Sequence, residues 1–142
     1  MTVQHDIAIS LIVPTRKRVV QMRRFLDSVL STTSRPQSIE IVMVVDNDDV
    51  ESKAFTYEGL RLRMVVTSPG SAMGALNMAG YRAAVGKYLM LMNDDVIFRT
   101  PGWDRRVVAA FEQFPDEIAL IYGNDLYQRE ALPTMPILSR LC

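Results

Sequence analysis

Five short apolar runs, each nearly continuous, constrain this chain more than any other feature: Ile7–Val13, Ile39–Val45, Leu62–Val66, Tyr88–Met92 and Ile118–Tyr122. A strand with one face in water alternates apolar and polar residues, and these runs alternate poorly. Several are rich in Val and Ile. Such runs suit strands buried on both faces, as in a parallel sheet covered by helices. Helical patterns fill the gaps. Met22, Phe25, Leu26, Val29 and Leu30 recur at i, i+3, i+4, i+7 and i+8, with Arg23, Arg24, Asp27 and Ser28 on the other face. A second helix is expected from about Ser71, as its cap, to Val85. A third is expected to start at Thr100-Pro101, to carry Trp103, Val107, Val108 and Phe111 on one face, and to end at Phe114-Pro115-Asp116. The weakly patterned segment from Val50 to Gly59 has room for one short helix. Strand alternating with helix implies an α/β layer fold with right-handed crossovers. The tail from Leu126 to Cys142, with two prolines and little periodicity, reads as an excursion from those layers.

Composition narrows the class. The 142 residues fit one domain that can bury a core without staples, and 49% hydrophobic content excludes disorder. Sixteen basic and sixteen acidic side chains cancel, which argues against a nucleic-acid partner, since phosphate-backbone binders need a basic surplus. The lone cysteine, Cys142, cannot staple the fold. Met1 to Asp6 lacks the pattern of a signal peptide, and no apolar run approaches the ~20 residues of a membrane span. A soluble, cytoplasmic protein is expected.

In an open α/β sheet, ligands bind beyond the carboxyl ends of the strands. The residues that follow the five runs are Pro14-Thr15-Arg16-Lys17-Arg18, Asp46-Asn47-Asp48-Asp49, Thr67-Ser68-Pro69-Gly70, Asn93-Asp94-Asp95 and Gly123-Asn124-Asp125. They bring two acidic clusters, one basic cluster and a glycine turn to one edge. Adjacent carboxylates such as Asp94 and Asp95 repel unless a positive charge sits beside them, and a hard cation such as Mg²⁺ or Mn²⁺ answers that need while leaving positions for a diphosphate. Taken alone, the spacing equally permits a simple turn, and that reading weighs more. Asp46 can accept from a base or a ribose, or it can begin a turn or cap a helix with Asn47 and Asp48. Arg16, Lys17 and Arg18 can meet a phosphate or form a solvated patch. The stretch Gly70 to Gly74 looks like a phosphate cradle before a helix, yet it is neither a Walker A loop nor a GxGxxG fingerprint, and close packing through small residues explains it as well.

The ordered set of strand ends, Ile12-Val13-Pro14-Thr15, Val44-Val45-Asp46 and Gly86-Lys87-Tyr88-Leu89-Met90-Leu91-Met92-Asn93-Asp94-Asp95, followed by Pro101-Gly102-Trp103-Asp104, resembles the family 2 glycosyltransferases of the GT-A fold. The resemblance spans roughly Ile7 to Gly123. It implies a three-layer α/β sandwich with a central, mostly parallel sheet that binds a UDP- or GDP-linked sugar. It also implies roles: Pro14 and Thr15 beside the base, Asp46 accepting from it, Asp94 near the ribose or diphosphate, and Asp95 on a Mn²⁺ or Mg²⁺ ion that bridges the diphosphate. Arg18 and Asn77 would join the nucleotide-sugar site.

The chain departs from the family pattern in three ways. Asn93 replaces the first aspartate of the DxD motif; it still accepts a ribose hydroxyl but brings no charge. Leu76-Asn77 stands where the family often has Arg-Asn, so a cation is lost there, with Arg18 or Arg82 as candidates to replace it. The family's catalytic base lies well beyond the DxD, and neither Asp125 nor Glu130 is well placed for that role. The expectation is therefore a single nucleotide-sugar-binding domain that lacks the acceptor half, with its catalytic residue unassigned. An exposed C-terminal edge of such a fold offers a surface for a second copy. Two other readings stand beside a transferase: a non-catalytic nucleotide-binding module of the same fold, and a receiver-like Mg²⁺-binding domain. The latter wants acidic residues after the first strand, where this chain has Arg16 to Arg18.

Overall fold

The computed structural model describes residues 7–116, 120–121 and 136–140. Six strands form one sheet in the order β3-β2-β1-β4-β6-β5. They are β1 (Ile9–Thr15), β2 (Ile39–Asp46), β3 (Arg61–Thr67), β4 (Tyr88–Leu91), β5 (Leu120–Ile121) and β6 (Ile137–Ser139). The helices are α1 (Val19–Thr32), α2 (Val50–Lys53), α3 (Met73–Ala83) and α4 (Trp103–Glu112). β1 pairs in parallel with β2 and β4, and β2 pairs in parallel with β3. β6 runs antiparallel to both β4 and β5, so the sheet is mostly parallel. Among the described residues, no helix is long and apolar enough to cross a membrane.

Alternation along the strands divides the core in two. Ile9, Leu11 and Val13 of β1 and Ile41, Met43 and Val45 of β2 pack with Met22, Phe25, Leu26 and Val29 of α1 and with Trp103, Val107 and Phe111 of α4. The residues between them, Ile12, Val42, Val44 and Leu89, face Leu76, Ala79 and Ala83 of α3. Both faces of β1 and β2 are thus covered, which is why their sequences read as unbroken apolar runs.

The α3 side is close-packed through Gly80, where an added Cβ would run into the Ile12 side chain. On the same face a carboxylate is fully buried. Glu40 accepts from Ser10 Oγ (2.6 Å), Arg63 Nε (2.8 Å) and the Val85 amide (3.0 Å). Ser10 Oγ accepts in turn from the Gly86 amide (2.8 Å). A buried charge is tolerated when its lone pairs are filled in this way. The network ties the turn between α3 and β4 onto β1 and β2.

The structure corrects three boundaries. α3 starts at Met73 with Ala72 at its cap position and no side-chain cap; Ser71 Oγ instead donates to the Ser68 carbonyl. α4 starts at Trp103 behind Gly102, which takes a left-handed φ of 73°, so Thr100-Pro101 forms the turn before the helix rather than its first residues. The tail supplies β6, inserted between β4 and β5, and is no excursion from the layers at that point. Gly123, Asn124, Asp125 and Glu130 lie outside the described residues.

Two glycines give a paired test. A Cβ at Gly86 would come 2.7 Å from the Ser10 backbone nitrogen, whereas nothing lies within 4 Å of a Cβ at Gly74. Gly86→Ala should destabilise the fold by about 1–3 kcal/mol, as overpacking does. Gly74→Ala should leave it unchanged or stabilise it by up to about 1 kcal/mol. Urea unfolding monitored by circular dichroism distinguishes the two.

Candidate active site

The parallel register assembles the candidate site. Ile12 of β1 stands opposite Leu91 of β4, so Thr15 falls level with Asp94, and Thr15 Oγ1 donates to Asp94 Oδ2 at 2.7 Å. Thr15 stands opposite Val45 of β2, so Arg16 falls level with Asp46. The Arg16 guanidinium donates to Asp46 Oδ2 at 2.6 Å and reaches both oxygens of Asp48, at 2.6 and 3.0 Å. Arg18, at the head of α1, reaches Asp94 Oδ1 at 3.4 Å.

A strained turn holds this arrangement. Lys17 has a φ of 53°, the left-handed region that side chains with a Cβ rarely adopt. Its amide donates to Asp49 Oδ2 at 2.7 Å, while Asp49 Oδ1 accepts from the Ser52 amide at 3.3 Å and caps α2. Asp49 is buried and ties the turn after β1 to the turn after β2. The helix cap therefore belongs to Asp49 and not to Asp46, whose backbone carbonyl takes the turn bond from the Asp49 amide.

The acidic residues fall into distinct environments. Asp94 is buried, with its two oxygens on Thr15 and Arg18. Asn93 and Asp95, on either side of it, are exposed. Asp95 makes no hydrogen bond or ion pair among the described residues. The Arg16 guanidinium holds the Asp48 carboxyl below the usual aspartate range, and its own pKa is raised in return. For Asp49, burial pushes the pKa up, but hydrogen bonds from Ser52 and the Lys17 amide, with the charge of Arg16, outweigh it and the net shift is downward.

The other expected contributors are more loosely placed. Pro14 is half-buried near the end of β1, and Asn77 is half-buried on the second turn of α3. Gly70 has a φ of 82°, and neither Gly70 nor Gly74 has an atom within 4 Å of where a Cβ would stand, so close packing does not account for them. A groove of about 550 Å³, lined by Val20, Arg23, Asp27 and Phe55 among others, opens between α1 and α2 and takes in none of the strand-end residues. In the sequence Arg16 belongs to a basic run, and nothing distinguishes Asp49 from its acidic neighbours. The signal that places both is register, which a residue list does not carry.

Solved structures share this architecture. TarS from S. aureus superimposes with a TM-score of 0.67 at 15% identity, covering 82% of this chain and 21% of TarS. TarS 1-349 in complex with UDP-GlcNAc gives 0.59 at 22% identity, covering 75% of this chain and 31% of that one. The mannosyltransferase PcManGT from Pyrobaculum calidifontis, in complex with GDP-Man and Mn²⁺, gives 0.65 at 20% identity, covering 96% of this chain and 46% of that one. The fold is that of the GT-A nucleotide-diphospho-sugar transferases. At the level of sequence, the model of glycosyl transferase family 2 matches residues 10–131, and the chain belongs to that family. A curated relative, the uncharacterized protein y4gI of Sinorhizobium fredii, is 31% identical over 107 residues, which cover 71% of this chain and 12% of the relative. The chain thus spans about an eighth of that relative and less than half of each of these solved structures.

The role given to Asp49 has a direct test. Its two oxygens face two N–H donors, whereas asparagine can accept on one side only and would turn an N–H toward the other donor. Asp49→Asn should cost about 1–3 kcal/mol at pH 7. Because the folded pKa is depressed, folding gains from the ionised form above the ordinary aspartate value of about 4. That gain is lost as the pH falls through the lowered folded value. The difference in melting temperature between wild type and Asp49→Asn should therefore be full near pH 7 and shrink below about pH 4.

Proposed function

We propose that this chain forms the donor half of a metal-dependent glycosyltransferase, binding a UDP- or GDP-linked sugar at the carboxyl edge of its sheet. The observation that carries this reading is the division of labour within Asn93-Asp94-Asp95. Asp94 is turned inward to brace Thr15 and Arg18, and Asp95 is left exposed on the same edge with no partner among the described residues. Membership of family 2, and likeness to proteins solved with UDP-GlcNAc and with GDP-Man and Mn²⁺, support the same assignment.

Under this reading Asp46 accepts from the base, with Pro14 and Thr15 forming the wall beside it. Asn93 accepts from a ribose hydroxyl, and Arg18 faces the diphosphate with Asn77 on the α3 side. Asp94 positions Thr15 and Arg18, a more indirect role than contact with the ribose. Asp95 would offer a single exposed carboxylate to Mn²⁺ or Mg²⁺. No cluster of three His, Cys, Asp or Glu occurs among the described residues, and such ions are commonly held by one or two carboxylates while phosphate and water oxygens complete the shell. Bound there, the ion would offset negative charge on the leaving nucleoside diphosphate. The base that deprotonates an acceptor hydroxyl is not assigned to any residue of this chain. Action in the cytoplasm and self-association are part of the proposal. The receiver-like alternative has no support from the family match.

Thermal stabilisation by UDP and GDP, with and without Mn²⁺, tests this reading on wild type and on Asp95→Ala. A nucleotide at 100 times its dissociation constant should add about 2.7 kcal/mol. The shift should require Mn²⁺ and vanish in Asp95→Ala, whose melting temperature without ligand should stay close to wild type because Asp95 is exposed. A shift indifferent to metal and to Asp95 would remove the metal from the assignment. Release of free sugar from a bound sugar nucleotide separates a transferase from a binding-only module.

A further inference from the structure

Arg16 does not lie along the surface as the outer member of a basic run. The left-handed turn at Lys17, tied down by Asp49, directs it across the end of β2. One of its terminal nitrogens contacts Asp46, and both terminal nitrogens grip Asp48. The Asp46 side chain is 13% exposed and that of Arg16 is 43% exposed. At the place where the proposed function seats the base, the protein therefore presents an acceptor carboxylate and a planar donor fork side by side.

That pairing matches one base better than the others. Guanine offers two adjacent donors, N1–H and the N2 amino group, that can meet a carboxylate. On the neighbouring edge it offers two adjacent acceptors, O6 and N7, that an arginine reads bidentately. Uracil has a single ring N–H flanked by two carbonyls, so it satisfies each of the two groups once. We infer that Arg16, paired with Asp46, selects a guanine nucleotide over a uracil nucleotide as the donor of this site. The inference rests on the proposed nucleotide-sugar function and narrows it to one substrate class. Asp48, about half exposed, is the resting partner that holds the Arg16 fork in line until a base takes its place.

Calorimetric titration of the full chain with GDP and with UDP, in the presence of Mn²⁺, tests this on wild type, Arg16→Lys, Arg16→Ala and Asp48→Asn. Wild type should bind GDP at least about tenfold more tightly than UDP, the scale of one bidentate base contact. Arg16→Lys keeps the charge and loses the fork. It and Arg16→Ala should bring the GDP-to-UDP ratio close to one, mainly by weakening GDP. Asp48→Asn should keep the preference, since Asp48 only parks the side chain. Arg16 is exposed, so melting temperatures without ligand should confirm that its variants fold. Equal affinities in wild type, a preference for UDP, or an equal loss for both nucleotides in the Arg16 variants would overturn the inference and leave the nucleotide site standing. Binding of neither nucleotide by wild type would overturn the proposed function and this inference together.

Discussion

β1 is hydrogen-bonded along both edges, to β2 on one side and β4 on the other, and helices cover both of its faces. Its register depends on that double burial. A slip of one residue would move Ile9, Leu11 and Val13 from the α1 and α4 side to the α3 side and leave both cores misfilled. The same register brings Thr15 to Asp94 and Arg16 to Asp46. The candidate site is thus built at the ends of strands that hold the core, with Thr15 and Asp46 on the strands and Arg16, Asp49 and Asp94 on the turns that follow them. Glu40 reinforces the other end of the same strands. Its three hydrogen bonds and the Ser10–Gly86 link fix where β4 enters the sheet, and so where Asn93-Asp94-Asp95 leaves it.

At the carboxyl edge the carboxylates of Asp46, Asp48, Asp49 and Asp94 are each engaged by donors. Asp46 and Asp48 share Arg16, Asp94 accepts from the Thr15 hydroxyl and from Arg18, and Asp49 accepts from backbone amides. The Arg16–Asp48 pair is largely exposed, and pairs of this kind add little to stability, so its value lies in orientation. Buried Asp49 is different, because it secures a backbone conformation that Lys17 would not otherwise hold. Against this background Asp95 stands apart as an exposed carboxylate with no partner among the described residues. Two residues adjacent in sequence are thus separated into a buried, bracing carboxylate and an exposed one, in the turn that follows β4.

The sequence by itself determined the fold class, because unbroken apolar runs between helical patterns have few ways to bury both faces of a strand. It also determined which residues would gather at the strand ends and the resemblance to family 2. Boundaries were less legible. Ser71 and Thr100-Pro101 have the chemistry of helix starts, but Ser71 bonds locally to Ser68 and Gly102 supplies the left-handed turn into α4. β6 leaves little trace in the sequence, because a three-residue strand preceded by proline has too short a pattern. Only the tertiary structure decided the pairings. Asp94 and Asp95 are indistinguishable in a list, as are Arg16 and Lys17, and Asp46 and Asp49 share the same turn chemistry. Which of each pair is buried, strained or exposed depends on the register between strands distant in sequence. That register is set by packing across both faces of the sheet, and no local stretch of sequence records it.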